Sequence, residues 1–361
     1  MTETIAIVGP TGQIGSEVCL KLPAAMPIFK GKMNLLNQAG IVEALSQEKF
    51  DVLINCAGLT DITYCEEHPE EAFAINAHSV EKMAYYCFRN GKKFIHISDA
   101  MVFDGNIDKP YSTECSPWPV NVYGKSKHLG EQLIREASLD GDFTIIRAAS
   151  VFGPALSKSN FLEKLIASAM RCKEAVKVPS WRLITPTSAR VVAKAILACL
   201  GRGDALMPNL VHVSCQGGPV PQSEVAAYAL ARVPSLSHMK IKAIEKTGKS
   251  LPRIPAMTAL ENSVRPPSLD TPTWQNEIND YLLQKGYSRP ACAVEVENDV
   301  DNSVTKVWEK LQREVVALDE LISALRKDRS NWLAGMEGPG RKARKGFWDR
   351  FGNEEAKKEE E

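Results

Sequence analysis

The chain has 361 residues, 44% of them hydrophobic and 24% charged, which is ordinary for a globular protein with enough length for one large or two ordinary domains. Lysine plus arginine and aspartate plus glutamate both number 44, so the formal net charge is zero. That excludes a global field favouring nucleic acid or an anionic membrane, and an anionic ligand must be held by local chemistry.

From the N-terminus, Ile5-Ala6-Ile7-Val8 reads as a buried strand, followed by a glycine-rich turn and a helix over about 14–22. A short second strand is predicted at 26–29, a helix at 42–46 and a strong strand at 51–55. Residues 69–90 have helical spacing, with Phe73, Ala77, Val80, Ala84 and Cys87 on one face and Gly91 as the C-cap. A strand at 94–97, a helix at 125–137 and a strand at 143–146 complete the first half. Repeated βαβ units imply a parallel sheet with helices on both faces, an α/β architecture of the doubly wound kind.

From about residue 152 the pattern loosens, with helices at 161–170 and 189–200, a strand at 211–213 and frequent prolines from Pro252 to Pro272. This fits a smaller α+β substrate domain. The expected division is a nucleotide-binding domain at 1–153, rejoined by 183–203, and a substrate domain at 154–182 and 204–285. Val304, Trp308, Leu311, Val315, Leu318, Ile322 and Leu325 alternate steps of four and three, an a/d seam that predicts an appended helix over 298–328. That helix either docks on its own domain or pairs with a second subunit or another protein. Residues 335–361 read as a disordered tail in which Phe347, Trp348 and Phe351 form a short docking motif.

Nine cysteines without a Cys-x-x-Cys pair read as reduced, buried thiols. With no signal peptide and no apolar run long enough to span a bilayer, the expectation is a cytoplasmic protein. The six histidines show no ligand-pair spacing, so no metal is expected.

Gly9-Pro10-Thr11-Gly12-Gln13-Ile14-Gly15 follows the first strand and opens the first helix. Gly9 permits positive φ, Gly12 lets the backbone approach a pyrophosphate, and Gly15 lets helix and strand pack closely. The helix N-terminus adds unpaired N–H groups and partial positive charge. Together these residues predict a Rossmann site for NADP or NAD. The second strand ends in Phe29-Lys30-Gly31-Lys32 with no acid for a ribose 2′-hydroxyl, so Lys30 or Lys32 would meet a 2′-phosphate, leaning to NADP. Asn55-Cys56-Ala57-Gly58 ends the third strand with small residues that leave room for the adenine and phosphates.

Tyr123 and Lys127, four apart, share one helical face. An ammonium beside a phenol favours phenolate and lowers its pKa, and the tyrosine would protonate a developing alkoxide in a ketone reduction. The lysine can also hold the nicotinamide ribose.

With these motifs in place, the chain resembles dTDP-4-dehydrorhamnose reductase and its relatives among the extended short-chain dehydrogenases/reductases, a group that includes the regulatory β subunit of methionine adenosyltransferase. The matching segments are Thr11-Gly12-Gln13-Ile14-Gly15, 51–55, Ile75-Asn76-Ala77, Val102-Phe103-Asp104-Gly105, 121–127, Pro186-Thr187 and the closing segment 265–270, over roughly residues 3 to 285. The resemblance implies hydride transfer from NAD(P)H to C4 of a 4-keto sugar nucleotide, and it carries Asn76 into the cofactor site. Diphosphate contacts would come from Arg182 or Lys164, while Arg147 is either structural or cleft-lining.

The sequence departs from the family at one junction. The family pattern Ser-Thr-Asp-Tyr-Val-Phe-Asp-Gly is here Ser98-Asp99-Ala100-Met101-Val102-Phe103-Asp104-Gly105, so Asp99 occupies the catalytic threonine position. Loss of that hydroxyl donor can cost about 3 kcal/mol of transition-state stabilisation. An ionised Asp99 would repel the oxyanion and oppose phenolate at Tyr123, whereas a protonated Asp99 could donate. Ser98 supplies a hydroxyl but should point to the opposite side of the strand. The segment corresponding to the family's Val-Asp-Lys-Ala-Glu is also altered, to Ile62-Thr63-Tyr64-Cys65-Glu66. Two functions follow as expectations: an NAD(P)H-dependent reductase or epimerase of nucleotide sugars, or a non-catalytic dinucleotide-binding regulator or scaffold.

Overall fold

A computed structural model describes residues 3–138, 141–154, 160–172, 174–200, 208–245, 252–263 and 271–288. All lie within the compact unit Met1–Ala291. The heptad seam, the tail and the family-like segment 265–270 fall outside the described residues.

The first half runs β1 (Ile5–Val8), α1 (Gln13–Lys21), β2 (Met26–Ile28), α2 (Gln38–Ser46), β3 (Val52–Asn55), α3 (Ile62–Glu67), α4 (Pro69–Phe73), a π-helical turn (Ala74–His78), α5 (Ser79–Arg89) and β4 (Lys93–Asp99). A 3₁₀ turn (Ala100–Val102) leads on to α6 (Val122–Ala137) and β5 (Phe143–Ala148). The remainder comprises β6 (Val151–Phe152), α7 (Phe161–Arg171), β7 (Ala175–Pro179), β8 (Leu183–Ile184), β9 (Thr187–Ser188), α8 (Ala189–Leu200), β10 (Leu210–Val213), β11 (Val220–Pro221), α9 (Gln222–Leu230), β12 (Lys240–Ile244) and α10 (Trp274–Gln284).

Six strands form one sheet in the order β10-β5-β4-β3-β1-β2, and every neighbouring pair is parallel. Its strands are buried on both faces, as their continuous aliphatic runs require. Ile7, Ile54 and Ile146 face a core shared with α1, α8 and α7. Ala6, Val8, Leu53 and Ile145 face the opposite core, built with α2 and α5. The last strand comes from a stretch assigned by sequence to the substrate domain: β10 pairs with the free edge of β5, Val211 opposite Ile146. Three two-stranded ladders, β11-β8, β12-β7 and β6-β9, stand apart from the main sheet.

β1 is flanked by β2 on one side and β3 on the other, so the chain reverses its direction of growth there. In open α/β sheets the carboxyl ends of strands at such a switch point form the ligand crevice. Gly9 and Cys56 begin the loops at those ends. Among the described residues, no helix is long and apolar enough to cross a membrane.

Candidate active site

The loop after β1 is shaped by its glycines. Gly9 has φ +78°, and a Cβ there would lie 2.7 Å from the Ala57 backbone nitrogen. A Cβ on Gly15 would come 2.0 Å from the Gly9 carbonyl oxygen, so only glycine lets α1 start this close to β1. At Gly12 the nearest atom to a Cβ is 3.5 Å away, which leaves that side of the turn open. The Gly12 N–H closes the turn on the Gly9 carbonyl at 3.2 Å. Gly12 is also the N-cap of α1 and gives it no side-chain cap bond, so the first-turn amides remain for an anion. Thr11, Gln13 and Ile14 are half-buried in the same turn, and the Gln13 Oε1 has no hydrogen-bond partner among the described residues. A dinucleotide diphosphate fits this cradle.

Two lysines follow β2. Lys32 forms an ion pair with Glu48, whereas Lys30 is exposed and has no ion pair or hydrogen bond among the described residues. Beyond β3, Asn55 is wholly buried and turned inward: its Oδ1 accepts from Ala57 N at 3.0 Å, and its Nδ2 lies 3.1 Å from His96 Nδ1. Asn76, in the π-helical turn, is also buried. It accepts from Leu59 N at 2.8 Å and donates to Leu59 O and Ser126 Oγ at 2.9 and 3.0 Å. Both asparagines brace the loop that carries Ala57 and Gly58, with their amide groups spent on protein partners. A Cβ on Gly58 would stand 4.0 Å from Lys127 Nζ, so this loop brings the switch-point crevice to the helix that carries Tyr123 and Lys127.

The N-terminus of α6 is held from three sides. Asn121 caps it through Gly124 N at 2.7 Å and donates to Arg253 O at 2.8 Å. Glu66 accepts from Val122 N at 2.9 Å. A Cβ on Gly124 would fall 2.0 Å from the Met101 carbonyl, so the glycine lets α6 touch the 3₁₀ turn after β4. Sequence reading missed Glu66 and Gly124 in these roles. An Asn four residues before Lys125 was a legible N-cap signal, but the carboxylate from α3 left no local pattern.

That contact puts Asp99 beside the phenol. Tyr123 donates from its hydroxyl to Asp99 Oδ2 at 3.1 Å, and Asp99 Oδ1 accepts from Met101 N at 2.8 Å. The expected lowering of the Tyr123 pKa is overturned. Burial, followed by the adjacent Asp99 carboxylate, pushes the phenol well above its ordinary value. Lys127 donates to Ile97 O at 2.7 Å and lies 3.2 Å from His96 Nε2. Burial lowers Lys127 to about 8, against the pull of Asp99 and Glu131. Burial, then Lys127, keeps His96 neutral, well below its usual range. Asp99 is raised by burial, against the Met101 amide, Tyr123, Lys127 and Arg182.

Arg182, in the turn between β7 and β8, lies within electrostatic reach of Asp99. Its terminal nitrogen donates to Gln222 Oε1 at 3.2 Å, while its buried Nε has no partner among the described residues. Lys164 is exposed on α7.

Ser98 is drawn to the other side of β4, as the strand's alternation requires. Its hydroxyl donates to Glu131 Oε1 at 2.5 Å. Arg147 is structural: it holds Glu131 through Nε at 2.8 Å and NH2 at 2.5 Å and is 2% exposed.

The switch-point crevice, the glycine cradle and a Tyr-x-x-x-Lys helix against the fourth strand define an extended short-chain dehydrogenase/reductase of the Rossmann type. Within that class, the chain belongs to the family described as the RmlD substrate binding domain, whose sequence model matches residues 3–286. The spore coat polysaccharide biosynthesis protein SpsK of Bacillus subtilis (strain 168) is 28% identical over 286 residues, 78% of this chain and 97% of the relative. The dTDP-4-dehydrorhamnose reductase of Escherichia coli (strain K12) is 29% identical over 224 residues, 59% of this chain and 73% of the enzyme. In structure, the chain is similar to dTDP-4-dehydrorhamnose reductase from Bacillus anthracis str. Ames, solved in complex with NADP. The TM-score is 0.69 at 22% identity, over 79% of this chain and all of that one.

Proposed function

We propose that the protein is an NAD(P)H-dependent reductase of a nucleotide-linked 4-keto sugar, with Tyr123 as the proton donor. The observation that carries this reading is that one rigid helix holds Tyr123 and Lys127, both 4% exposed, against the end of β4, beside the loop that meets the glycine cradle. NADP fits the loop after β2, where Lys30 is exposed without a partner among the described residues and no acid within 29–32 opposes a 2′-phosphate.

The α1 amides and Gly12 would hold the diphosphate of a bound NADPH, which would supply hydride to the carbonyl carbon. Lys127 would orient the nicotinamide ribose, and Tyr123 would give its proton to the carbonyl oxygen as negative charge develops there. The unpartnered Nε of Arg182 is a donor for an anionic or carbonyl oxygen of the substrate.

The test is dinucleotide binding by fluorescence, followed by NADPH oxidation with a panel of nucleotide-linked 4-keto sugars. Tyr123→Phe should lower kcat by about 10²–10⁴-fold with dinucleotide affinity nearly unchanged. Turnover that survives Tyr123→Phe would sink the assignment. A second reading, a dinucleotide-binding regulator, is favoured by the hydrogen bond that commits the Tyr123 proton to Asp99. Tight binding without turnover across the panel would select it.

A further inference from the structure

We infer that Asp99 is a proton reservoir behind Tyr123, holding a proton on the carboxyl oxygen that faces the phenol and passing it to Tyr123 as Tyr123 protonates the substrate. The inference rests on the reductase reading and adds a second catalytic group to it.

Geometry assigns the two carboxyl oxygens different tasks. Oδ1 is taken by the Met101 amide, which also caps the 3₁₀ turn. Oδ2 lies 3.1 Å from the Tyr123 hydroxyl. A single contact can run in either direction, and the direction decides whether the site is competent. With Asp99 ionised, Tyr123 must donate to Oδ2, and its proton points away from any substrate. With a proton on Oδ2, Asp99 donates to the phenol oxygen, and the Tyr123 proton is free to face the cleft.

The proton inventory then balances. Hydride from the dinucleotide forms the new C–H bond as the carbonyl π bond breaks. The Tyr123 proton forms the new O–H bond. The Asp99 proton replaces it on the phenol oxygen, leaving a carboxylate that solvent reprotonates after product release. Tyr123 therefore never has to persist as a phenolate, which its burial opposes. Two of the three Lys127 N–H groups go to Ile97 and His96, which leaves the third for the nicotinamide ribose.

The surroundings favour a proton that can be held and released. Asp99 is half-buried at the cleft end of β4. Burial raises its pKa, and the cations facing it, Lys127 from α6 and Arg182 from the β7–β8 turn, restrain the rise. Tyr123 from α6 is its titratable neighbour, with Cys65 of α3 beyond the phenol and neutral His96 beyond Lys127. The carboxyl thus titrates above its ordinary range while remaining in reach of exchange. Activity should be full while Asp99 is protonated and fall as pH rises through its raised pKa.

The experiment compares wild type, Asp99→Asn and Asp99→Thr in the full chain with NADPH and the sugar-nucleotide panel, reading the pH profile of kcat. Asp99→Asn should lose at least about tenfold in kcat and lose the Asp99 limb. Asp99→Thr, which restores a hydroxyl donor, should retain turnover without that limb. Lys127, at about 8 in the wild type, should leave its own limb in every variant, moved lower where Asp99 no longer raises it, and so separate the two titrations. In parallel, carboxyl carbon NMR of the dinucleotide complex should show Asp99 titrating above the ordinary aspartate value of about 3.9. An active wild type whose rate and limb are unchanged in Asp99→Asn overturns the relay alone. A carboxyl titrating at or below the ordinary value also overturns it. A wild type inactive on every sugar nucleotide overturns the reductase reading, and the relay with it.

Discussion

At the scale of single residues, the site is governed by burial acting on groups that are charged or must become so. Lys127 shows this most directly. An unburied lysine titrates near 10.4, and removing its ammonium from water favours the neutral form. Asp99 and Glu131 restore part of the charged form, which leaves Lys127 at about 8. Its folded pKa is depressed, so Lys127 is charged below about 8 and neutral above. A charged Lys127 beside Gly58 favours an anionic dinucleotide. Affinity for NADPH should therefore fall as pH rises through about 8, and Lys127→Met should weaken binding at neutral pH and flatten that dependence. Fluorescence titration over the pH series checks it, and a flat wild-type profile contradicts it. The motif spacing made Tyr123 and Lys127 legible as a pair. It could not reveal that their polar atoms take different partners, because those partners lie on β4, about 24 to 31 residues away along the chain.

At the scale of elements, the close approaches of helices to strand ends form the crevice, and two glycines separate packing from binding. A methyl group on Gly15 would sit 2.0 Å from the Gly9 carbonyl and 3.1 Å from Pro10 Cα, all of it backbone. Overpacking of that kind costs about 1–3 kcal/mol or displaces the loop. A methyl on Gly12 meets nothing closer than 3.5 Å, and φ there is −74°, which alanine adopts freely. Gly15→Ala should thus lose both thermal stability and dinucleotide binding. Gly12→Ala should keep its Tm and lose at least about tenfold in affinity, since the methyl occupies the diphosphate's approach. Paired thermal melts and titrations check the split. The six strands of the main sheet and most helices were legible because aliphatic runs and 3.6-residue spacing survive in the sequence, whereas the short strands β6, β7, β8, β9, β11 and β12 and the helices α3, α9 and α10 were not read from it. The π-helical turn Ala74–His78 was not. It inserts within a stretch whose apolar spacing still reads as one helix, and it turns Asn76 inward to Leu59 and Ser126. The resemblance identified Asn76 as important, but the sequence could not show which way its amide faces.

At the scale of the whole molecule, one buried polar network ties β4 to the sheet edge. Ser98 of β4, Glu131 of α6, Arg147 of β5 and His212 of β10 form a chain that ends on the Tyr111 carbonyl. Arg147 also stacks over Phe103, 5.0 Å from the ring centroid. No periodic signature announces such a set, because its successive links span 16 to 101 residues. Burial alone would raise the Glu131 carboxyl. The hydrogen bonds and charge of Arg147, joined by the Ser98 hydroxyl, outweigh it and hold the group far below the usual range. His212 is lowered to about 4, by burial and then by Arg147. Both shifts act in the same sense. A depressed carboxyl contributes stability above its unfolded pKa of about 4.3 that is lost on acidification, and a depressed histidine loses stability between about 6.5 and 4. The protein should therefore lose stability steeply as pH falls from about 6.5. Breaking the pair by Arg147→Met leaves a buried carboxylate uncompensated and should cost about 3–5 kcal/mol at neutral pH. Adding Glu131→Leu removes the orphaned charge, and the double variant should recover at least half of that loss with a shallower acid slope. Urea unfolding of the wild type, Arg147→Met, Glu131→Leu and the double variant at several pH values measures it. Strictly additive losses would mean that the two side chains act independently, contrary to their bidentate contact.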